Sequence, residues 1–237
     1  VYSAGGINPY SIATANFNGD TRPDLAVANY GSNNIGVLLN NGAGAFIAPV
    51  TYSSGGNAPT GIAVADLNND TRMDLAVSND QGNSVAVLFG NANGTFQGAV
   101  AYANRGRPWG VVAADFTGDN RPELAVVNST SSSIEVFTNS GTGTFGTGST
   151  SWGSGGSTPL SLAAADFNGD GFMDIVVPNY GDNNVNLLLG NGNGTFRTAR
   201  DYRAVGYSPT AIATGDFNGD GRTDAVTADY GNSLVSV

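Results

Sequence analysis

An all-β fold, a β-propeller of four-stranded antiparallel blades, is what this sequence predicts, and three observations lead to it. An acidic nine-residue segment recurs five times, with starts that lie 50, 49, 51 and 50 residues apart. Each interval holds four short apolar stretches bounded by Gly, Asn and Asp, and no stretch has a sustained helical period. A large aromatic residue closes the outer stretch at Tyr2, Tyr52, Tyr102, Trp152 and Tyr202. Four strands repeated about every 50 residues indicate one propeller blade per repeat.

The second repeat shows how each element is predicted. The stretch 61–65 carries the small residues Ala63 and Ala65, as the innermost strand around a crowded axis requires, and the acidic segment follows it. Residues 74–78 and 84–89 alternate apolar and small side chains, which is typical of strands. A Gly-Thr-Phe turn then opens the outer stretch 95–102, where the glycine permits a tight hairpin.

The five repeats predict a single propeller domain over residues 1–237. The approximate units are 1–50, 51–100, 101–150, 151–200 and 201–237. Residues 1–2 align with the end of an outer strand, whereas 235–237 align with a third strand. The N-terminal segment can therefore close the ring against the last blade. The alternative is that the chain is a fragment of a longer propeller, for example one with seven blades.

Composition excludes several classes of function. The net charge is −10, 14 of the 19 acidic residues lie in the repeated acidic segments, and the nine basic residues are all Arg, which argues against nucleic-acid binding. No apolar run approaches the ~18 residues of a membrane helix, so we expect no membrane insertion. Cys, His and Lys are absent. Disulfides, Cys or His sites for zinc or copper, His-containing triads, cysteine nucleophiles and lysine Schiff bases are thereby excluded.

The repeated acidic segments, which we call acidic loops one to five, cover residues 16–24, 66–74, 115–123, 166–174 and 216–224. Oxygen-bearing side chains at positions 1, 3, 5 and 9, with the backbone carbonyl of position 7, form the donor set that a hard cation such as Ca²⁺ needs. The candidate metal ligands are Asn16, Asn18, Asp20, Arg22, Asp24, Asp66, Asn68, Asp70, Arg72, Asp74, Asp115, Thr117, Asp119, Arg121, Glu123, Asp166, Asn168, Asp170, Phe172, Asp174, Asp216, Asn218, Asp220, Arg222 and Asp224.

The acidic loops differ in their expected affinity for a cation. Loops four and five fit best, because Gly171 and Gly221 occupy position 6, where the chain turns sharply. Loops one and three are expected to bind more weakly, because they carry Asn16, Thr117 and Glu123 at ligand positions. An EF-hand is ruled out, since its last ligand belongs at position 12. The alternative to metal binding is that the Asp and Asn side chains only cap turns.

The motif Asp-Phe-Asn-Gly-Asp-Gly-x-x-Asp at 166–174, the strand that starts at Ile175 and Gly-Asn-Gly-Thr-Phe at 192–196 resemble the FG-GAP/VCBS-type repeat. This repeat also forms the integrin α-subunit propeller and certain fungal and bacterial lectins. The resemblance covers essentially the whole chain and implies a propeller that binds Ca²⁺, with up to five ions at the loop residues named above. Together with calcium availability, it implies an extracellular or cell-surface location. Members of this family often have seven blades, so five units depart from the common pattern.

The loops on the face opposite the acidic loops are rich in amide and aromatic groups, and a variable residue follows the recurrent proline between blades. Exposed aromatic rings beside Asn and Asp suit sugar recognition. The candidate ligand-binding residues are Tyr10, Asn29, Tyr30, Trp109, Asn179, Tyr180, Asp229 and Tyr230. The alternative is that Asn-Tyr-Gly is only turn chemistry.

These observations favour a non-catalytic carbohydrate-binding or adhesion module whose partner is a glycan or a surface protein. Repeated sites between blades would make it multivalent. One alternative is the propeller domain of a polysaccharide-degrading enzyme, and another is a purely structural repeat of a surface protein. Against an enzyme, the acidic residues outside the acidic loops are scattered and form no catalytic pattern. They are Asp80, Glu135, Asp182, Asp201 and Asp229.

Overall fold

The computed structural model of the protein describes residues 1–146, 151–203 and 206–237, with Arg203 described through its backbone only. The predicted boundary at residue 150 lies outside these ranges. Within them the sheets are antiparallel and the chain is arranged as a five-bladed propeller, as predicted. No helix in the described ranges is long and apolar enough to cross a membrane.

Each blade takes its strands in chain order from the inside outwards. The first blade contains β1 (Pro9–Ala15), β2 (Asp24–Asn29), β3 (Asn34–Leu38) and β4 (Val50–Ser53). The second contains β5 (Pro59–Ala65), β6 (Asp74–Asn79), β7 (Ser84–Leu88) and β8 (Val100–Ala103). The third contains β9 (Pro108–Ala114), β10 (Glu123–Asn128), β11 (Ser133–Phe137) and β12 (Ser151–Gly153). The fourth contains β13 (Ala163–Ala165), β14 (Asp174–Asn179), β15 (Asn184–Leu188) and β16 (Arg200–Arg203). The fifth contains β17 (Pro209–Gly215), β18 (Asp224–Asp229) and β19 (Leu234–Ser236).

The outer stretch is shorter than the sequence indicated. In the second blade the predicted strand 95–102 divides into an isolated bridge between Phe96 and Gly90 and the strand β8. The bridge closes the glycine hairpin and points Phe96 into the core, where it meets the rings of Phe17 and Tyr52 edge-to-face. The same bridge recurs in the first, third and fourth blades. The hairpin aromatic is therefore a core element, as predicted.

The core consists of contacts between successive blades. We call the side of a blade that faces the next blade its trailing face, and the side that faces the previous blade its leading face. Ile35 and Val37 on the first trailing face pack with Leu75, Val77 and Leu88 on the second leading face. Equivalent clusters join the second blade to the third and the third to the fourth. Burial of this apolar surface is the main force that holds the blades together.

The seam between the fifth and first blades is open to solvent. The sheet of the fifth blade has three strands in the described ranges, and Tyr2 lies outside any strand. Tyr2 instead meets Phe46 of the first blade, with ring centroids 5.5 Å apart. It thus occupies the place that Tyr52 takes against Phe96 in the next blade. The N-terminal segment packs on the first blade and does not add the strand that would close the ring.

Candidate functional site

The residue that follows the recurrent proline is displaced from its strand by a bulge. In the first blade Pro9 pairs with Asn29 and Ser11 with Ala28, so Tyr10 has no partner in β2. The same register shift leaves Thr60 unpaired in the second blade and Thr210 in the fifth. Bulges redirect side chains and are common beside functional sites. In every blade the side chain at this position faces the axis, although Leu160 of the fourth blade lies outside any strand.

These five side chains line one axial cavity at the end of the molecule opposite the acidic loops. The cavity has a volume of about 450 Å³ and receives lining residues from the innermost strand region of every blade. The residues that follow the prolines are Tyr10, Thr60, Trp109, Leu160 and Thr210. None of the described lining residues carries a charge, and Ser11 and Ser161 add hydroxyl groups.

Three aromatic side chains form a cluster at this cavity, which we call the aromatic cluster. The rings of Tyr10 and Trp109 are 5.6 Å apart and nearly perpendicular, at 81°. Tyr30 lies 5.9 Å from Tyr10 on its other side. Tyr10 is 55% exposed although it stands between the two rings. The structure thus brings together three of the residues that the sequence predicted as ligand-binding, from two different blades.

An ion pair and a hydrogen bond fix the surroundings of the aromatic cluster. Asp80 is buried and pairs with Arg107 through both carboxylate oxygens, one of them 2.8 Å from Nε. Gln81 Nε2 donates to the hydroxyl of Tyr30 at 2.9 Å. These contacts link the first three blades, and sequence reasoning missed them because Asp80 was counted among scattered acids. The sequence did offer one indication of this ion pair, because Arg107 directly precedes Pro108 at the start of the third blade.

The hydroxyl of Tyr10 stays protonated at neutral pH. Burial, the neighbouring Tyr30 and the carboxylate of Asp80 together raise the pKa of Tyr10 above its ordinary value. A phenol with a raised pKa is a hydrogen-bond donor and a poor general base. The site therefore offers stacking surfaces and neutral hydrogen-bonding groups.

The predicted ligand residues at the ends of the second strands lie apart from the aromatic cluster. Asn29 and Asn179 are buried and donate to the connecting segments between blades, Asn29 to the carbonyl of Ala4 at 2.9 Å. Asp229 is also buried and accepts from the hydroxyls of Thr227 and Ser236. Their roles are therefore anchoring ones. Tyr180 and Tyr230 are exposed at the equivalent turns of the fourth and fifth blades.

Position 9 of the acidic loops anchors each loop to its blade. Asp74 is buried, and its two oxygens accept from the N–H of Leu67 at 2.9 Å and of Gly90 at 2.8 Å. Asp24 and Asp174 make the same pair of bonds in the first and fourth blades. Glu123, which has a longer side chain, accepts from the N–H of Phe116. The acid at position 9 thus has a structural role, whatever else it binds.

Position 1 of the loop caps the turn. Asp216 Oδ1 accepts from the N–H groups of Gly219 and Asp220, and its Oδ2 accepts from Gly221 at 2.9 Å. These N–H groups, above all that of Gly221, hold the pKa of Asp216 below its usual range. Asp166 is bonded in the same way. The turn-capping alternative therefore describes a real part of the loop geometry.

Positions 3, 5 and 7 complete the loop. Asn168 donates to Asp170 Oδ2 at 3.0 Å, while Asp170 Oδ1 accepts from the N–H of Phe172. In acidic loops one to three an arginine at position 7 also pairs with the acid at position 5. The pairs are Arg22–Asp20 at 2.5 Å, Arg72–Asp70 at 3.5 Å and Arg121–Asp119 at 3.3 Å. Loop four has Phe172 at position 7, and Arg222 at position 7 of loop five forms no such pair with Asp220 among the described side chains.

The loop carboxylates lie close enough to repel one another. Burial, together with the charges of Asp70 and Asp66, raises the pKa of Asp74 to about 6 despite the two N–H bonds that act to lower it. Burial, Asp170 and Asp166 likewise raise the pKa of Asp174. Carboxylate and amide oxygens are the donors that Ca²⁺ prefers, so the donor set fits this cation chemically. In the described ranges, however, no group of three acidic side chains is already arranged as a metal centre.

Comparison with known structures finds the same fold at low sequence identity. A lectin from Agrocybe aegerita that recognises non-reducing terminal N-acetylglucosamine has a TM-score of 0.60 and 19% identity, over 94% of this chain and 61% of the lectin. Virginiamycin B lyase from Staphylococcus aureus has a TM-score of 0.57 and 17% identity, over 86% of this chain and 59% of the lyase. A protein from Lactobacillus plantarum has a TM-score of 0.66 and 17% identity, over 97% of this chain and 70% of the Lactobacillus plantarum chain.

The chain therefore spans about three fifths of the lectin and lyase chains, and at these identities the likeness concerns the fold. No curated protein matches the sequence. A family model of the FG-GAP-like repeat matches residues 16–77, 72–126, 116–177 and 178–227, which together cover most of the chain. Each of these segments contains at least one complete acidic loop. The chain belongs to the FG-GAP-like repeat family.

Proposed function

We propose that the protein is a non-catalytic binding module that recognises carbohydrate, free or on a surface protein, at the axial cavity. The observation that carries this proposal is the aromatic cluster of Tyr10, Tyr30 and Trp109. Aromatic rings stack on the apolar faces of sugars, while hydroxyl and amide groups bind their polar edges. The cavity volume of about 450 Å³ lies in the usual range of small-ligand sites.

We propose a single binding site, whereas the sequence pattern indicated repeated sites between blades. The equivalents of Tyr10 and Trp109 in the other blades are Thr60, Leu160 and Thr210, none of which is aromatic. Ligand groups that are neutral and hydroxyl-rich suit it best, because the lining is uncharged and Arg107 is already neutralised by Asp80. The net charge of −10 further disfavours acidic ligands.

Two features favour binding over catalysis. A tyrosine that removes a proton needs a lowered pKa, whereas the surroundings of Tyr10 raise its pKa. Arg107, the nearest cation, is held by both oxygens of Asp80 and therefore has less capacity to stabilise a developing negative charge. We accordingly propose that the protein is not an enzyme.

We further propose that acidic loops four and five bind Ca²⁺. Because calcium is abundant outside the cell, we also propose that the protein is extracellular. Both loops keep three carboxylates at positions 1, 5 and 9. Loop four carries Phe172 at position 7, and loop five carries Arg222 there, which forms no ion pair with Asp220 among the described side chains, unlike the arginines of loops one to three. In those three loops the arginine already supplies a positive charge near the acid at position 5. Bound Ca²⁺ would be held by Asp166, Asn168, Asp170 and Asp174 in loop four, and it would neutralise their mutual repulsion.

The fluorescence of Trp109 provides a direct test of the carbohydrate site. The chain has two tryptophans, so Trp152→Phe leaves Trp109 as the only one. In this background we expect neutral oligosaccharides selected on a glycan array to change the Trp109 emission with saturation. Tyr10→Ala should abolish the response, whereas Tyr180→Ala should preserve it, because Tyr180 is an exposed tyrosine away from the cavity. An array without hits, or binding that survives Tyr10→Ala, would overturn the proposal.

A further inference from the structure

Seven Asn-Gly pairs occur in the chain, at residues 18–19, 41–42, 93–94, 168–169, 191–192, 193–194 and 218–219. An asparagine that precedes glycine is prone to lose its side-chain amide, because glycine has no side chain to hinder the approach of its backbone nitrogen to that amide. All seven pairs lie in the described ranges, and their glycine N–H groups differ in the contacts that they make.

The loss of the amide, called deamidation, begins at the glycine nitrogen. This nitrogen gives up its proton and attacks the side-chain carbonyl carbon of the asparagine, so that a C–N bond forms, ammonia leaves and a cyclic imide remains. Water then adds to either carbonyl carbon of the imide and opens the ring to aspartate or isoaspartate. The net change consumes one water and releases one ammonia. Hydrogen bonds that hold the glycine N–H or the asparagine amide oppose the first step.

The three pairs in the acidic loops are held on both sides of the reacting bond. In acidic loop four the N–H of Gly169 donates to Asp166 Oδ1 at 2.7 Å. The side chain of Asn168 donates to Asp170 Oδ2 and accepts from the N–H of the same residue. Acidic loops one and five make the same contacts at the same positions. The geometry of the acidic loops therefore protects their asparagines.

Backbone carbonyls protect two of the four pairs in the glycine hairpins. Gly194 donates to the carbonyl of Phe116 in the preceding blade at 2.8 Å, and Gly94 donates to the carbonyl of Asn91 at 3.2 Å. The asparagines of both pairs are held as well, because each Oδ1 accepts from the N–H and the hydroxyl of the threonine two residues later.

The other two hairpin pairs differ in one neighbouring side chain. Gly42 donates to Asn40 Oδ1 at 2.9 Å, so its N–H is held. The fourth blade has Gly190 at the place of Asn40, and glycine has no side chain that could accept from Gly192. Within the described part of the chain the N–H of Gly192 forms no hydrogen bond. The pair at residues 191–192 thus has the reactive nitrogen that the other six pairs keep bound.

The asparagine of this pair is also accessible. Asn191 is exposed, and its amide contacts the hydroxyl of Thr195 at 2.9 Å and Arg197 Nε at 3.4 Å. Both partners are themselves exposed, so their side chains can rotate away without disturbing the core. Water, the second reactant, reaches the site freely.

We propose that Asn191 is the site at which the folded protein deamidates spontaneously, with aspartate and isoaspartate as products. The reaction places a carboxylate beside Arg197, which now faces a neutral amide. Isoaspartate also lengthens the backbone by one methylene directly before Gly192, on which the ring of Phe172 in acidic loop four rests. Deamidation therefore changes both the charge of the fourth hairpin and its support of acidic loop four.

Peptide mapping by tandem mass spectrometry tests the site. During incubation of the native protein at mildly alkaline pH, the mass gain of deamidation should appear at residue 191 first, while the other six pairs stay unmodified. In concentrated urea all seven pairs should react at similar rates, because the contacts that protect six of them are lost. An Asn191 that stays unmodified in the native protein while the protein in urea reacts, or any pair that reacts faster than Asn191, overturns the proposal.

Two variants test the cause of the selectivity. Asn40→Gly removes the acceptor of the Gly42 N–H and copies the fourth blade, so Asn41 should then deamidate in the folded protein as well. Glycine occupies this position in the second and fourth blades, so the fold tolerates it. Asn191→Gln should abolish the native reaction, because the longer side chain closes a larger ring more slowly. An Asn41 that stays unmodified in the Asn40→Gly protein refutes the role of the unbound N–H.

Discussion

At the scale of single residues, buried carboxylates explain how the acidic loops respond to pH. Asp74 is buried between two N–H donors, yet burial and the charges of Asp66 and Asp70 outweigh these bonds and raise its pKa to about 6. Asp216 is exposed, and its N–H donors instead lower its pKa. The two positions of the loop therefore act in opposite directions and in different pH ranges.

The free energy of unfolding should fall as the pH rises from about 4 to about 6 in calcium-free buffer. A raised pKa means that folded Asp74 binds its proton more tightly than the unfolded chain, whose Asp titrates near ~3.9, so deprotonation disfavours the fold. A shift of two units corresponds to at most about 3 kcal/mol. Groups with lowered pKa values, such as Asp216, act below that window, where their stabilising contribution is lost as the pH falls.

Chemical unfolding at a series of pH values measures this effect. The chain has no His or Cys, so few other groups titrate between pH 5 and 7 and the change can be attributed to raised carboxylates. Stability that increases over the same window would contradict the raised pKa values of Asp74 and Asp174.

Backbone strain occurs at the residue before the recurrent proline of the fourth blade. Thr158, directly before Pro159, has a φ of 53°, in the left-handed region that β-branched residues rarely adopt. Asn8 has the same φ of 53° at the equivalent place, and Asn tolerates it well. Thr158→Asn should therefore stabilise the protein by about 0.5 to 1 kcal/mol. The reverse change, Asn8→Thr, should destabilise it by a similar amount in urea unfolding. Equal stability of both variants and the wild type would show that the strain is absent.

At the scale of elements, the side chain at position 7 separates acidic loop four, which carries Phe172, from loops one to three, whose arginine pairs with the acid at position 5. Arg22 and Arg121 lie over the hairpin glycines Gly42 and Gly141, and Phe172 lies over Gly192 in the same way. An arginine at residue 172 can therefore occupy this place and reach Asp170, as Arg72 reaches Asp70. The position allows a substitution that adds a positive charge to the loop without removing a metal ligand.

Phe172→Arg should reduce the stabilisation of the protein by calcium. Ca²⁺ that binds only the folded state adds about 2.7 kcal/mol at a concentration of 100 times its Kd. We expect calcium to raise the melting temperature of the wild type, and Phe172→Arg and Asp170→Asn to diminish that rise, whereas Arg72→Met in loop two, which removes a competing positive charge, should not diminish it. Calorimetric titration should give two ions per chain. A melting temperature insensitive to calcium would contradict the metal proposal, and an unchanged rise in Phe172→Arg would contradict the role of position 7.

Local patterns predicted the strands well, because period-two alternation and glycine turns depend on neighbouring residues. They did not predict that β8 begins only at Val100, since the hairpin that ends at Phe96 is closed by an isolated bridge. The aromatic cluster was predicted only in part. Tyr10 and Trp109 were identified as variable residues after a proline, but a bulge in two separate blades is needed to make their rings meet. The anchoring bond of Asn29 was not predicted, because it depends on the segment around Ala4.

At the scale of the whole molecule, stability is unevenly distributed along the row of blades. Repeat proteins behave as a chain of units coupled to their neighbours, so a unit with weak interfaces opens first. The leading face of the fifth blade carries Ala225 and Thr227 where the second blade carries Leu75 and Val77. The fifth blade is thus weakly held against the fourth.

Hydrogen exchange should show this gradient directly. We expect the amides of β17, β18 and β19 to exchange first, while those of β6, β7, β10 and β11, whose residues are almost all buried, exchange last. Calcium should slow exchange in the fifth blade more than in the second if acidic loop five binds it. Uniform protection of all five blades would mean that the propeller opens as one cooperative unit, in which case the weak interface between the fourth and fifth blades does not control its stability.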